Sequence, residues 1–301
     1  MTGKIRQYFS KYHALKAWLF LSPCLVVILI SGAWPLLRTF YLSFTNTAID
    51  YSSAGAFVGC DNFSNLFEDP DWWEAVKNTL FFAVVSVSLE AVFGFCVAFV
   101  LHRNTHFKTV LRAVVLIPWA IPTVVSAKIW GWMFHDVYGI INRILEFVGI
   151  ISKPISWIAS SELTMVAIII VDVWKTTPFM ALLLLAGLQS ISNECFEAAK
   201  VDGVSTWRLI WCIVLPMLKP TFVVALIFRT LDALRVFDLV YILGSGDLSC
   251  ATMSVYARRY LLDFGEVGRG SSAAAMLFFI VALVSVLYFT ISQRNLRKVN
   301  K

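Results

Sequence analysis

The sequence predicts an all-helical, polytopic membrane protein with six transmembrane helices, and three observations carry that reading. Of 301 residues, 59% are hydrophobic and only 15% are charged, with a mean hydropathy of +0.76. So little polar surface cannot cover the apolar surface of a water-soluble globule. The apolar residues form continuous runs of roughly twenty rather than an alternating pattern, which favours spanning helices over a membrane barrel. The basic residues gather in short stretches beside those runs, as cytoplasmic anchors do. These anchors account for the net charge of +6, and nucleic acid is not read as a partner.

Residues 1–16 carry Lys4, Arg6, Lys11 and Lys16, with Ile5, Tyr8, Phe9, Tyr12 and Leu15 at helical spacing. An amphipathic segment on the cytoplasmic face is expected there. The first span, 17–37, is long enough at about 1.5 Å per residue to cross a hydrocarbon core of about 30 Å. Ser31-Gly32-Ala33 imitates a signal-peptidase site, but Trp34 and Pro35 continue the segment, so it is read as retained. Residues 45–77 hold Asp50, Asp61, Glu68, Asp69, Asp71 and Glu74 against Lys77, with Trp72-Trp73 placed as an interface belt, and are expected outside.

The second span is 79–101, and His102, Arg103, His106, Lys108 and Arg112 then make a short basic loop inside. The third, 111–134, contains Pro118 and Pro122, which remove backbone donors and can bend it. Residues 136–162 form a second external stretch, helical around 140–148. The fourth span is 163–188, a polar loop at 189–206 lies inside, and the fifth span is 216–243. The near-neutral stretch 244–270 is external, and the sixth span, 271–293, ends in a basic tail, 294–301, with Arg294, Arg297, Lys298 and Lys301. Lys and Arg placement puts both termini inside, which six spans satisfy. Residues 17–293 are read as one membrane domain.

The search for enzyme chemistry is negative. The sequence has no Gly-rich phosphate loop, no His-Glu-x-x-His and no Gly-x-Ser-x-Gly, so the chain is not expected to be an enzyme and any ATP that drives it is hydrolysed by another subunit. His102 and His106 have metal-like spacing, but Arg103 and Lys108 beside them repel a cation, and no metal site is expected. The six cysteines show no paired spacing. Cys60 and Cys250 both fall in expected external stretches and are read as unpaired thiols in preference to a disulfide.

Ionisable residues inside spans are costly and therefore informative. Glu90 lies in the second span, Asp172 and Lys175 in the fourth, and Arg229, Asp232, Arg235 and Asp238 in the fifth. Asp172 with Lys175, and Asp232 with Arg235, are three apart and placed to neutralise each other along their own helices. Three readings stay open: pairs that only bind helices together, a water-filled path with Trp174, Phe179 and Phe237 offering flat apolar faces, and a proton relay in an ion-coupled carrier. The last lacks the inverted hydropathy repeat that would support it.

Residues 191–218 read ISNECFEAAKVDGVSTWRLIWCIVLPML. Ser192 or Asn193 is placed to cap a short helix, Glu194 and Glu197 put negative charge near its start, and Gly203 supplies a left-handed stop. Ser205 is placed to cap the next segment, and 207–215 runs apolar until Pro216, so a helix, a sharp turn and a second helix entering the membrane are expected. Glu197-Ala198-Ala199, Asp202-Gly203, Ile213 and Leu215-Pro216 resemble the EAA loop of bacterial ABC importer permeases.

The resemblance covers nearly the whole chain. FVGCDNFSNLFEDPDWWEAVKN from Phe57, LIPWAIPTVVSAKIWGWMF from Leu116, GIINRIL from Gly139, DVWKTTPFMALLLLAGLQSI from Asp172 and FRTLDALRVFDLVYIL from Phe228 are similar to sugar permeases of the maltose and trehalose type, specifically the first of two paired subunits. It implies a type I permease fold in the bacterial inner membrane, with Glu197, Ala198, Ala199, Asp202, Gly203, Leu215 and Pro216 coupling to an ATPase. It also implies a second permease subunit, two copies of an ATPase that use ATP and Mg, an extracytoplasmic binding protein, and a disaccharide such as trehalose or a maltose-like sugar. By position, sugar contacts fall on Asp172, Lys175, Thr176 and Phe179, then Leu231, Asp232 and Arg235, with Thr123 or Ser126 as weaker candidates. The chain itself is expected to hold no cofactor. Charged Asp172, Lys175, Asp232 and Arg235 depart from the maltose pattern, as does Gly244-Ser245-Gly246-Asp247 where many relatives have a GGP-type turn. An importer for glycerol phosphate or a polyol is the alternative within transport.

Overall fold

A computed structural model describes residues 16–49, 55–103, 108–244 and 248–299. The expected amphipathic segment at 1–16 lies, all but Lys16, outside the described residues, as do His106 and Ser245-Gly246-Asp247. The described chain is helical, with one isolated antiparallel bridge between Thr45 and Phe57. In order the helices are α1 (Lys16–Leu42), α2 (Asp61–Glu68), α3 (Pro70–Arg103), α4 (Lys108–Ala120), α5 (Thr123–Met133), α6 (Ile140–Phe147) and α7 (Ser161–Gln189). After these come α8 (Asn193–Val201), α9 (Thr206–Ala233), α10 (Asp238–Leu243), α11 (Met253–Arg258) and α12 (Val267–Val299). Among the described residues, five helices are long and apolar enough to cross a membrane, and α4 with α5, bent by 86° at their junction, make a sixth crossing if counted as one broken span.

The chain divides into two units. The first comprises residues 1–66 and 259–275. Its irregular stretch after α1 is tied by side chain and backbone: Asn62 Nδ2 donates to the carbonyls of Ser43 at 2.9 Å and Thr45 at 2.8 Å, and the Ile49 amide donates to Gly265 O at 2.8 Å. Gly265 has φ 71°, a backbone that only glycine adopts cheaply.

The second unit comprises residues 67–258 and 276–301 and is built on α3, α7 and α9. These helices approach closely where they carry glycine. A Cβ on Gly94 of α3 would lie 2.5 Å from Met180 Cγ of α7, and one on Gly187 of α7 would lie 2.6 Å from Leu218 Cδ1 of α9. Small residues that let backbones approach are how helices bind each other in lipid, where apolar burial supplies little drive. Two hydrophobic clusters result. One gathers Phe82, Val87, Ile168, Val171, Ala233 and Leu239, and the other Ala91, Ala98, Met180, Leu184, Leu218 and Ala225.

Several boundaries differ from those read in the sequence. Helix α3 begins at Pro70, well before residue 79, because Pro70 is a good first helical residue and the Trp72–Tyr256 ring contact, centroids 5.4 Å apart, buries the added turn. The third span is broken outright: Pro118 is absorbed inside α4, but Pro122 sits in extended backbone (ψ 139°) and starts α5. The fifth span begins at Thr206, so no separate helix ends at Pro216. A π-turn at Ile210–Val214, where the Leu215 amide donates to Ile210 O, shifts the bonding register just before Pro216 and lets the helix pass through a residue with no donor. That helix stops at Ala233, and α10 continues after a break. The expected helix around 140–148 is present as α6.

Candidate functional site

Where the two hydrophobic clusters meet, α3, α7 and α9 place the intramembrane charges together. Arg229 is 2% exposed, Glu90 0% and Asp172 6%. The Arg229 guanidinium donates to both Glu90 carboxylate oxygens through Nε and, at 2.7 Å, Nη2. Nη2 also reaches Asp172 Oδ2 at 3.1 Å, and Nη1 reaches Asp232 Oδ2 at 2.5 Å. The Ser86 hydroxyl lies 3.0 Å from Glu90 Oε1 and 2.5 Å from Asp172 Oδ2, and the Thr176 hydroxyl lies 2.6 Å from Glu90 Oε1. One planar cation with several fixed donors thus satisfies three carboxylates from three helices, which an ammonium could not arrange in the same plane.

The two expected pairs, Asp172 with Lys175 and Asp232 with Arg235, are not the ones formed, although Arg229 and Asp232 do pair at three-residue spacing along α9. Asp172 pairs with Arg229 rather than Lys175, and Asp232 pairs with Arg229 rather than Arg235. Arg235 is exposed and its Nε donates to Leu231 O at 3.1 Å. Lys175, 8% exposed, reaches across to the broken span, with Nζ 2.7 Å from Ile121 O and 3.4 Å from Trp119 O.

Beside this cluster lies a cavity of about 270 Å³ lined by Asp172, Lys175, Thr176, Asp232 and Arg235, together with Thr123, Trp119, Phe237 and others. A second hollow of about 300 Å³ shares Trp119, Thr176, Asp232 and Arg235 and adds Phe179 and Phe228. The Trp119 and Phe179 rings stack, with centroids 5.9 Å apart and planes 16° apart. Hydroxyl, carboxylate and guanidinium groups thus face the same space as a flat aromatic pair, the surface chemistry that a polyhydroxylated solute matches. Of the residues expected here, Leu231 lines neither cavity, and Ser126 is buried with its hydroxyl unpartnered. Trp174 packs edge-on against Trp130 instead, and Phe237 lines the first cavity while stacking on Tyr241. Glu90 and Arg229 were legible only as charges within spans, and Trp119 was not singled out. Its signal is its place between Pro118 and Pro122.

The loop between α7 and α9 folds as its sequence indicates at its C-terminal end. Gly203 has φ 67°, its amide donates to Lys200 O at 3.1 Å, and the Val204 amide donates to Ala199 O at 3.0 Å. Those two bonds complete a Schellman stop for α8. Ser205 accepts from the Arg208 amide at 3.4 Å and starts α9. At the other end Ser192 occupies the capping position, but its side chain accepts no bond from the helix. Glu197, Ala198, Asp202, Gly203 and Pro216 are exposed, Leu215 is half-buried, and Ala199 is buried. Val201, apolar yet 87% exposed, stands on the same short helix. A cavity of about 500 Å³ beneath α8 is lined by His102, Arg103, Phe196, Lys200, Gly203 and Thr206 among others. None of the six cysteines forms a disulfide; Cys60 is exposed and Cys250 buried.

Residues 90–301 match the family described as the binding-protein-dependent transport system inner membrane component. The chain is 39% identical over 285 residues to the trehalose/maltose transport system permease protein MalF of Thermococcus litoralis, covering 94% of this chain and 96% of that one. It is 35% identical to the trehalose transport system permease protein SugA of Mycobacterium tuberculosis (90% and 87% covered). It is 34% identical to the sulfoquinovosyl glycerol transport system permease protein SmoG of Agrobacterium fabrum (92% and 90% covered). Its fold is similar to that of a chain in the crystal structure of a bacterial ABC transporter involved in the import of alginate, with a TM-score of 0.83 at 21% identity and coverage of 96% and 99%. With its helical spans, its short exposed helix and its matched relatives in agreement, the chain belongs to the family of binding-protein-dependent transport system inner membrane components.

Proposed function

We propose that the chain is the first of two permease subunits of an ATP-driven importer for a disaccharide, trehalose or a maltose-like sugar. In this reading it lies in the bacterial inner membrane with both termini cytoplasmic. It pairs with a second permease, the pair assembles with two copies of an ATPase that use ATP and Mg, and the assembly receives sugar from an extracytoplasmic binding protein. The chain does no chemistry of its own. Glu197, Ala198, Ala199, Asp202 and Gly203 form the surface that enters the ATPase, with Leu215 and Pro216 on the helix behind it. The observation that carries the reading is connectivity. Helices α7 and α9, which supply most of the charged groups lining the cavity, are the two that α8 joins, so displacement of α8 is delivered to both at once.

Alternating access then arises from rigid elements. Closure of the ATPases moves α8, the Schellman stop keeps α8 at a fixed angle to α9, and the cavity between α7 and α9 changes its opening. Acids and hydroxyls at Asp172, Thr176, Asp232 and Thr123 meet sugar hydroxyls, and Phe179 meets a ring face. The cavity's cations and acids are mixed, which favours a neutral sugar over glycerol phosphate.

The test is purification of this chain from its own membranes in mild detergent, then ATP hydrolysis by the recovered complex with its binding protein. We expect a second permease and an ATPase to be recovered, with turnover raised several-fold by trehalose and not by glycerol phosphate. Stimulation by glycerol phosphate or a polyol alone would replace the sugar. Recovery of the chain with no nucleotide-hydrolysing partner would overturn the importer reading in favour of an ion-coupled carrier.

A further inference from the structure

The broken span creates a problem that the rest of the cavity solves. A helix ends with carbonyls that have no intrahelical partner. At the 86° bend after Ala120, Pro122 contributes no amide to meet them. Unpartnered carbonyls at membrane depth are tolerated only where protein or water satisfies them. Here the donor comes from another helix: Lys175 Nζ of α7 bonds Ile121 O at 2.7 Å and reaches Trp119 O at 3.4 Å. One turn further along α7, Phe179 stacks on the Trp119 ring. Two residues four apart, hence on one face of α7, grip the end of α4 by its backbone and by its side chain.

The ring so held is not hidden. Trp119 is 49% exposed, yet it lines both hollows beside the charge cluster. Its carbonyl anchor and its stacking partner fix the direction in which the free part of the indole points. We propose that Lys175 is a positioning residue that clamps the elbow of the third span, and that the ring it fixes, Trp119, is the aromatic wall on which a pyranose face of the transported sugar packs. The second half of this inference rests on the sugar reading above, and the first half does not. Lys175 thereby leaves the set of groups that touch the sugar, although it lines the cavity. An ammonium engaged with two carbonyls has little left for a hydroxyl, whereas Trp119 offers an apolar face of the kind that sugars stack against.

Two measurements on the assembled complex test the two halves. In hydrogen exchange, Lys175→Met is expected to raise the rate in peptides covering residues 116–126 about tenfold or more, with Lys175→Arg near the wild type and Trp119→Leu, which leaves the carbonyl anchor in place, of clearly smaller effect there. Unchanged exchange in Lys175→Met overturns the clamp, whatever the solute. In proteoliposomes supplied with saturating trehalose-loaded binding protein, Trp119→Leu and Lys175→Met are each expected to lower maximal uptake about tenfold. The double variant is expected to be no worse than Trp119→Leu alone, and Lys175→Arg to keep half the rate or more. Losses that multiply in the double variant, or a Trp119→Leu complex that transports normally, overturn the wall. A wild-type complex that moves no sugar would overturn the importer reading and the wall together, while the exchange arm still decides the clamp.

Discussion

Arg229 is the residue on which the membrane interior turns. It is buried, and so are Glu90 and Asp172, its partners on two other helices. Removing one partner of a buried ion pair strands the other at a cost of about 3 to 5 kcal/mol, far more than an exposed pair is worth. Arg229→Met is therefore expected to lower stability in detergent by about that amount, read as a fall in thermal unfolding midpoint. Replacing Glu90 by Gln in the same chain should recover part of the loss, since one of the two stranded buried carboxylates is then neutral. A double variant as unstable as the single would show that packing, not charge, dominates at this position. The sequence announced these charges, because ionisable residues in apolar spans have few reasons to be there. It did not announce their partners. Three-residue spacing accounts for Asp232 beside Arg229 on one helix, but the same guanidinium also binds Glu90 and Asp172 from two other helices, and no local pattern encodes that meeting.

At the scale of elements, legibility tracks the range of the interactions involved. The turn after α8 was readable because Gly203, Ser205 and the acids before them act over a few residues. The long apolar runs were readable for the same reason. The starts of α3 and α9 were not, since a tertiary aromatic contact fixes one and a π-turn carries the other through Pro216. Gly187→Leu forces side-chain atoms where a Cβ alone would already lie within 2.8 Å of Thr221. Overpacking of this kind is expected to destabilise by about 1 to 3 kcal/mol, again seen in the unfolding midpoint. Glu197→Lys combined with Gly203→Asp acts elsewhere: Glu197 is exposed and Gly203 has open space around its Cα, but its φ of 67° strains any other residue. Normal membrane insertion with loss of ATPase co-purification is expected, and retained attachment would remove α8 from the docking surface.

For the whole molecule, the chain's native thiols report its orientation. Cys60 is exposed in the acidic stretch before α3, and Cys195 is half-buried on α8. If both termini are cytoplasmic, as proposed, a membrane-impermeant maleimide added to intact cells should label Cys60, while Cys195 should react only after the membrane is opened. The reverse pattern would invert the topology. The long apolar runs were legible from hydropathy alone, whereas the 86° elbow in the third span was not, because a proline inside an apolar run marks a kink without its angle.

The Lys175 bridge has a bearing on engineering. The stretch 172–179 and the elbow 119–123 are far apart in sequence, yet an ammonium on one meets the free carbonyls of the other. Anyone exchanging solute preference between homologous transporters will need to transplant both segments as one cassette. Grafting the lysine-bearing stretch alone delivers a charge with no acceptors, and grafting the elbow alone delivers acceptors with no charge.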